Sequence, residues 1–75
     1  MVVDLLLNDY VDAEDLNEYL HTWDMEMLDR KYTATETLLT VYMTEAASNG
    51  WTADDLKMDL EDEYLVGVKI IDVQY

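Results

Sequence analysis

The chain has 75 residues, 51% of them apolar, with six Tyr, two Trp and eleven Leu. That is one small domain with enough apolar surface to fold, and too little for a second core. Eighteen Asp and Glu stand against four Lys and Arg, a formal net charge of −14. This charge excludes direct binding of nucleic acid, which needs Lys and Arg against phosphate.

The absence of Cys removes disulfides, thiolate metal sites and thiol nucleophiles, and a lone His removes a multi-histidine metal site. Two Gly and no Pro leave no glycine-rich phosphate loop and no polyproline ligand. No apolar run approaches the roughly 20 residues of a membrane helix, and the Met-Val-Val-Asp start lacks the basic region of a signal peptide. A cytoplasmic protein with no membrane contact and no cofactor is expected.

In chain order, residues 2–7 place Val3, Leu5 and Leu7 on one face if extended, which predicts a strand, although a leucine-rich run can also open a helix. Asn8 and Asp9 follow as turn residues. Asp12 stands where a helix N-cap would, with Asp15 three residues on. Leu16, Tyr19, Leu20, Trp23 and Met27 then recur at helical steps. This pattern predicts a helix reaching about Lys31, or one broken near Thr22–Asp24 with Asp24 capping a second segment. Thr33 and Glu36 read as a capping box for a further helix, with Leu38, Leu39, Tyr42, Met43 and Ala46 inward and Asn49-Gly50 at its end. Thr52 and Asp55 repeat the capping signal before Ala53, Leu56, Leu60 and Tyr64. Residues 66–75 read as a strand whose apolar phase slips between Ile70 and Ile71, which predicts a bulge or burial on both faces. The expected fold is α+β: three or four short helices packed on a small two-stranded sheet formed by the N- and C-terminal segments.

The acids cluster. Eight lie between Asp9 and Asp29 and six between Asp54 and Glu63, with Lys57 alone among the latter. Asp55, Asp59 and Asp62 follow i, i+4, i+7, while Asp12, Asp15 and Glu18 step by three. Carboxylates one helical turn apart stand about 5–6 Å from each other, a spacing comparable to that of neighbouring phosphates along a strand. Asp12, Asp15, Glu18, Asp55, Asp59, Asp62 and Glu63 are therefore candidate partner-binding residues, standing in for phosphates in the basic groove of a nuclease, polymerase or CRISPR effector. Reversal of Asp55, Asp59 and Asp62 to Lys is expected to abolish such binding without unfolding the chain. Ordinary solvated helix faces and adaptation to high salt are the bland readings of the same acids.

No catalytic chemistry is legible. Acid–base work by paired carboxylates needs a pocket that separates their pKa values, and no acidic pair is marked out. His21 reads as a boundary histidine beside Glu18, and Ser48 as a residue at a helix end. The stretch from Asp54 to Glu63 lacks the glycine of a calcium-binding loop, and the Asp-Ser-Leu site of acyl carrier proteins is missing. In size and charge alone the whole chain resembles the small acidic inhibitors made by bacteriophages, among them DNA mimics, anti-restriction and anti-CRISPR proteins. No motif carries that resemblance. It implies a non-enzymatic inhibitor acting by occlusion. The alternative is an interaction module (adaptor, antitoxin-like neutraliser or regulatory subunit) with an apolar contact through Met25, Met27, Met58 or by strand addition along Val68–Tyr75. A homodimer through that strand is a related expectation.

Overall fold

The computed structural model describes residues 1–44 and 50–74. Ala46, Ser48 and Asn49 of the expected central helix, and Tyr75 at the end of the expected last strand, lie outside the described residues. The elements run β1 (Val2–Leu7), α1 (Ala13–Thr22), β2 (Met25–Tyr32), β3 (Thr37–Met43), α2 (Ala53–Tyr64) and β4 (Val68–Gln74). The strands form one antiparallel sheet in the order β2-β3-β1-β4. This is the split βαβ, or ferredoxin-like, arrangement. Both helices cover the same sheet face, because their buried residues join the sheet's in one cluster and Tyr19 of α1 meets Tyr64 of α2.

The expectation of three or four helices on a two-stranded sheet is thus overturned: among the described residues, two helices cover four strands. The terminal strands do pair, β1 with β4, but β3 flanks β1 on its other side. The difference lies between Met25 and Met43. Helix α1 stops at Thr22, where the Trp23 and Asp24 amides donate to the carbonyls of Leu20 and His21 at 3.1 Å. Asp24 takes φ 58°, a left-handed turn that aspartate tolerates better than most residues. It therefore turns the chain into β2 and does not cap a second helix.

The Thr33–Glu36 pair makes the bond expected of a capping box, with the Glu36 amide donating to Thr33 Oγ1 at 3.0 Å. It does so in a hairpin loop, where the Thr33 amide also donates to the Glu36 carbonyl at 3.0 Å. The loop leads into a strand: Thr37, Leu39, Val41 and Met43 are buried, while Leu38 and Tyr42 are exposed. Three β-branched residues and a tyrosine in seven positions favour the pleated form. Leu38, Leu39, Tyr42 and Met43 fit helical spacing only because both faces of this strand are apolar.

The remaining elements obey their local chemistry. In β1, Val3, Leu5 and Leu7 are buried and alternate with half-buried neighbours. Helix α2 opens with a complete capping box: the Asp55 amide donates to Thr52 Oγ1 at 3.3 Å and the Thr52 amide to Asp55 Oδ2 at 2.9 Å. The predicted phase slip is a bulge at Ile71: Asp4 faces Asp72 while Leu5 faces Ile70. A second bulge falls at Leu28 in β2.

Gly67 joins the end of β1 to the start of β4. Its amide donates to Asn8 Oδ1 at 2.8 Å and its carbonyl accepts from the Asn8 amide at 2.9 Å. A Cβ here would stand 2.7 Å from Asn8 Nδ2, so the close approach itself requires glycine.

Candidate acidic interface

Two amphipathic helices lying side by side must bury their apolar stripes against the sheet and turn their polar edges outward. In α1 the buried stripe is Leu16, Tyr19 and Leu20; in α2 it is Ala53, Leu56 and Leu60. Between the outer edges lies a groove of about 490 Å³ lined by Asp15, Glu18, Tyr19, Thr22 and Trp23 from the first helix and its cap, and by Asp59, Glu63 and Tyr64 from the second. Four carboxylates face it and no cation lines it among the described residues.

Phenols form its floor. The Tyr19 hydroxyl donates to Asp59 Oδ2, which ties the helices together. The Tyr64 hydroxyl donates to the Asp15 carbonyl at 3.1 Å, and the two rings meet edge to face at 5.8 Å. At one end Trp23 stacks on Trp51 at 5.1 Å. Burial, then the hydrogen bond to Asp59, raises the Tyr19 hydroxyl far above the ordinary phenol range. Burial, then the carboxylates of Asp15, Glu63 and Glu18, pushes Tyr64 up to about 12.

Both phenols therefore hold their protons more tightly folded than unfolded. Their contribution to stability is complete below the unfolded value of 10.0 and is lost as pH rises through the folded values. The urea midpoint should fall above about pH 10. A Tyr19→Phe/Tyr64→Phe double variant should start less stable at about pH 8, yet lose less between about pH 9.5 and 11.5. Equal losses in the two proteins would show that other groups govern the alkaline limb.

The seven predicted contact residues divide. Asp15, Glu18, Asp59 and Glu63 line the groove together. Asp62 is exposed on α2 away from it, and Asp12 is exposed at the N-cap position, where its side chain makes no cap bond. Asp55 is engaged in the capping box. Since Asp55 and Asp59 both hold the fold through hydrogen bonds, reversing Asp55, Asp59 and Asp62 together would disturb structure as well as surface. Tyr19, Tyr64 and Trp23, core or boundary residues by their spacing, are groove residues too. The clue is their position: Tyr19 follows Glu18 and Tyr64 follows Glu63, at the seam between the apolar and acidic stripes.

The lysine of α2 does not neutralise the groove. Lys57 Nζ donates to Glu61 Oε1 at 2.9 Å, and the Val68 amide donates to Glu61 Oε2 at 3.3 Å. These two donors hold the Glu61 carboxyl below the usual carboxylate range. His21 is exposed in the last turn of α1. Among the described residues, no three acidic or histidine side chains converge tightly enough to hold a metal ion, and no helix is long and apolar enough to cross a membrane. Comparison of the chain with protein-family models, curated proteins and solved structures returns no match.

Proposed function

We propose that this chain is a non-enzymatic inhibitor whose acidic helical layer occupies the basic nucleic-acid-binding surface of another protein. The observation that carries this is the convergence of Asp15, Glu18, Asp59 and Glu63, from two helices, on one groove that no cation lines. The helical layer as a whole supports it, with three acids on α1 and six on α2 against Lys57 alone. Stability does not account for all of these charges. Glu61 is held by Lys57 and the Val68 amide, but Asp62 and Glu63 fall in the last turn of α2, which holds no base. Carboxylates there oppose the helix dipole, at about 0.3–1 kcal/mol each when exposed.

Mechanistically, the acids steer encounter and the partner's Lys and Arg side chains meet carboxylates where they would meet phosphates. Bound inhibitor and bound nucleic acid then exclude each other. The source would be a phage acting on host defence, such as a CRISPR effector or restriction nuclease, within the host cytoplasm.

The test begins with the partner recovered by pull-down, and continues with titration against it in competition with labelled duplex DNA and labelled RNA. Strict competition is expected, with affinity falling about tenfold or more between roughly 50 and 200 mM NaCl. A ternary complex of inhibitor, partner and nucleic acid would overturn occlusion. The alternative apolar contact loses two of its named residues, because Met25 is buried and Met27 packs against the core, leaving Met58 exposed.

A further inference from the structure

The second face of the sheet is covered by no described element. Strand register arranges its residues in three cross-strand rows. The first is Glu26, Tyr42, Val2 and Gln74; the second is Asp29, Thr40, Asp4 and Asp72; the third is Lys31, Leu38, Leu6 and Lys69. On the two inner strands the rows carry Tyr42 and Val2, then Thr40 and Asp4, then Leu38 and Leu6; Leu38 is 37% and Tyr42 40% exposed, Val2 and Leu6 half-buried, and Thr40 Oγ1 donates to Asp4 Oδ1 at 2.7 Å. Two lysines stand here against four acids, so this face is far less negative than the helical layer.

The rows have a self-complementary charge pattern. Acids end the second row on both edge strands, and lysines end the third row on the same strands. A two-fold axis in the plane of contact, running across the strands between these rows, lays each row of one copy over the other row of its mate. Asp29, already 3.8 Å from Lys31 of its own chain, then also meets Lys31 of the mate, and Asp72 meets Lys69 of the mate, with each pair occurring twice. No such match arises for a two-fold axis along the strands, which sets the acidic row over itself.

We infer that two copies of this chain associate face to face through the open sheet, with the acidic helical layers outward. Contact through the sheet edges is disfavoured, because both edge strands carry bulges, at Leu28 and Ile71; such bulges blunt edge pairing. Stacked sheets, by contrast, leave the edges free and stand about 10 Å apart, here with Leu38 and Leu6 of one copy over Thr40 and Asp4 of the other. Four strands of six to eight residues give a footprint of roughly 20 Å by 20 Å, about 800 Å² over the two copies, which is the size of a weak, transient contact. The dimer is therefore concentration-dependent, with a dissociation constant on the order of tens to hundreds of micromolar. This inference stands apart from the proposed inhibition. Position separates the two: Lys69 and Asp72 lie on the open sheet face, and Asp15, Glu18, Asp59 and Glu63 in the groove.

Analytical ultracentrifugation from about 1 µM to 1 mM protein tests it. The expected result is a shift from one chain of 8.8 kDa to two. Lys69→Asp and Asp72→Lys should each weaken the dimer about tenfold or more, the second despite lowering the net negative charge. The double exchange Lys69→Asp/Asp72→Lys restores both the charge balance and the pairing, and should recover the dimer. Circular dichroism confirms that each variant remains folded. A chain that stays monomeric at about 1 mM, or a dimer indifferent to both single variants, overturns the inference.

Discussion

Replacing Asp15, Glu18 and Glu63 together by Lys should slow association with the basic partner by roughly 10- to 1000-fold, the range that electrostatic steering spans. The three side chains face the groove, and their carboxylates take no part in the hydrogen bonds that join the helices. Tyr64 reaches Asp15 through the backbone carbonyl, which the substitution spares. The fold should therefore survive, and thermal stability should not drop, because three reversals remove six units from a net charge of −14. Stopped-flow association with the purified partner measures the effect. The charge-matched control is Glu26→Lys/Asp29→Lys/Asp72→Lys, on the open sheet face, with both variants measured at about 0.1 µM, where the chain is monomeric. It changes net charge equally and should slow association far less. Equal slowing by both variants would mean that total charge, and not the groove, governs encounter.

Thr37→Val should cost about 2–4 kcal/mol, for a reason the surface does not show. Thr37 is the one polar residue fully buried among those described. Its hydroxyl donates to the Asp9 carbonyl at 2.8 Å and accepts from the Val11 amide at 3.1 Å. Valine keeps the shape and strands both backbone groups, at about 1–3 kcal/mol for each unsatisfied group. A domain of this size holds only about 4–11 kcal/mol in total, so the variant is expected to lose a large part of its urea midpoint. Thr37→Ser keeps the hydroxyl and should lose about 1 kcal/mol, the transfer value of one methyl. If Val and Ser behave alike, the hydroxyl is not what fastens this loop. The consequence reaches the groove, because residues 9–11 lead into α1. The Tyr32 hydroxyl fastens the same segment, donating to the Val11 carbonyl at 2.7 Å. Loosening these anchors displaces Asp15 and Glu18 relative to α2.

Much of this protein is legible from local chemistry. Val3, Leu5 and Leu7 alternate, and β1 forms there. Thr52 and Asp55 bracket a helix start, and both bonds of the capping box form. The slip at Ile70–Ile71 marks a bulge. The acidic stripes of both helices are visible as spacing, as are four residues of the groove. Each of these features depends on neighbours within a few positions in the chain.

The illegible part depends on partners far away in sequence. The segment from Met25 to Met43 carries helical spacing and a Thr-x-x-Glu pair, yet forms a hairpin. Only the sheet decides it: β3 pairs with both β1 and β2, so its backbone groups are satisfied on two sides. Leu38 and Tyr42 look inward-facing along a helix and are outward-facing in the strand. The same tertiary decision created the groove, since Asp15 and Asp59 line one groove only when β2 and β3 carry the chain back to set α2 beside α1. It also set Asp29, Asp4 and Asp72 in one row, through pairings that no local pattern contains. The sequence by itself determined where charge would concentrate and where helices and terminal strands would begin. Which acids face one another, and which apolar face stays open, was decided by long-range strand pairing, whose energy no short window of residues records.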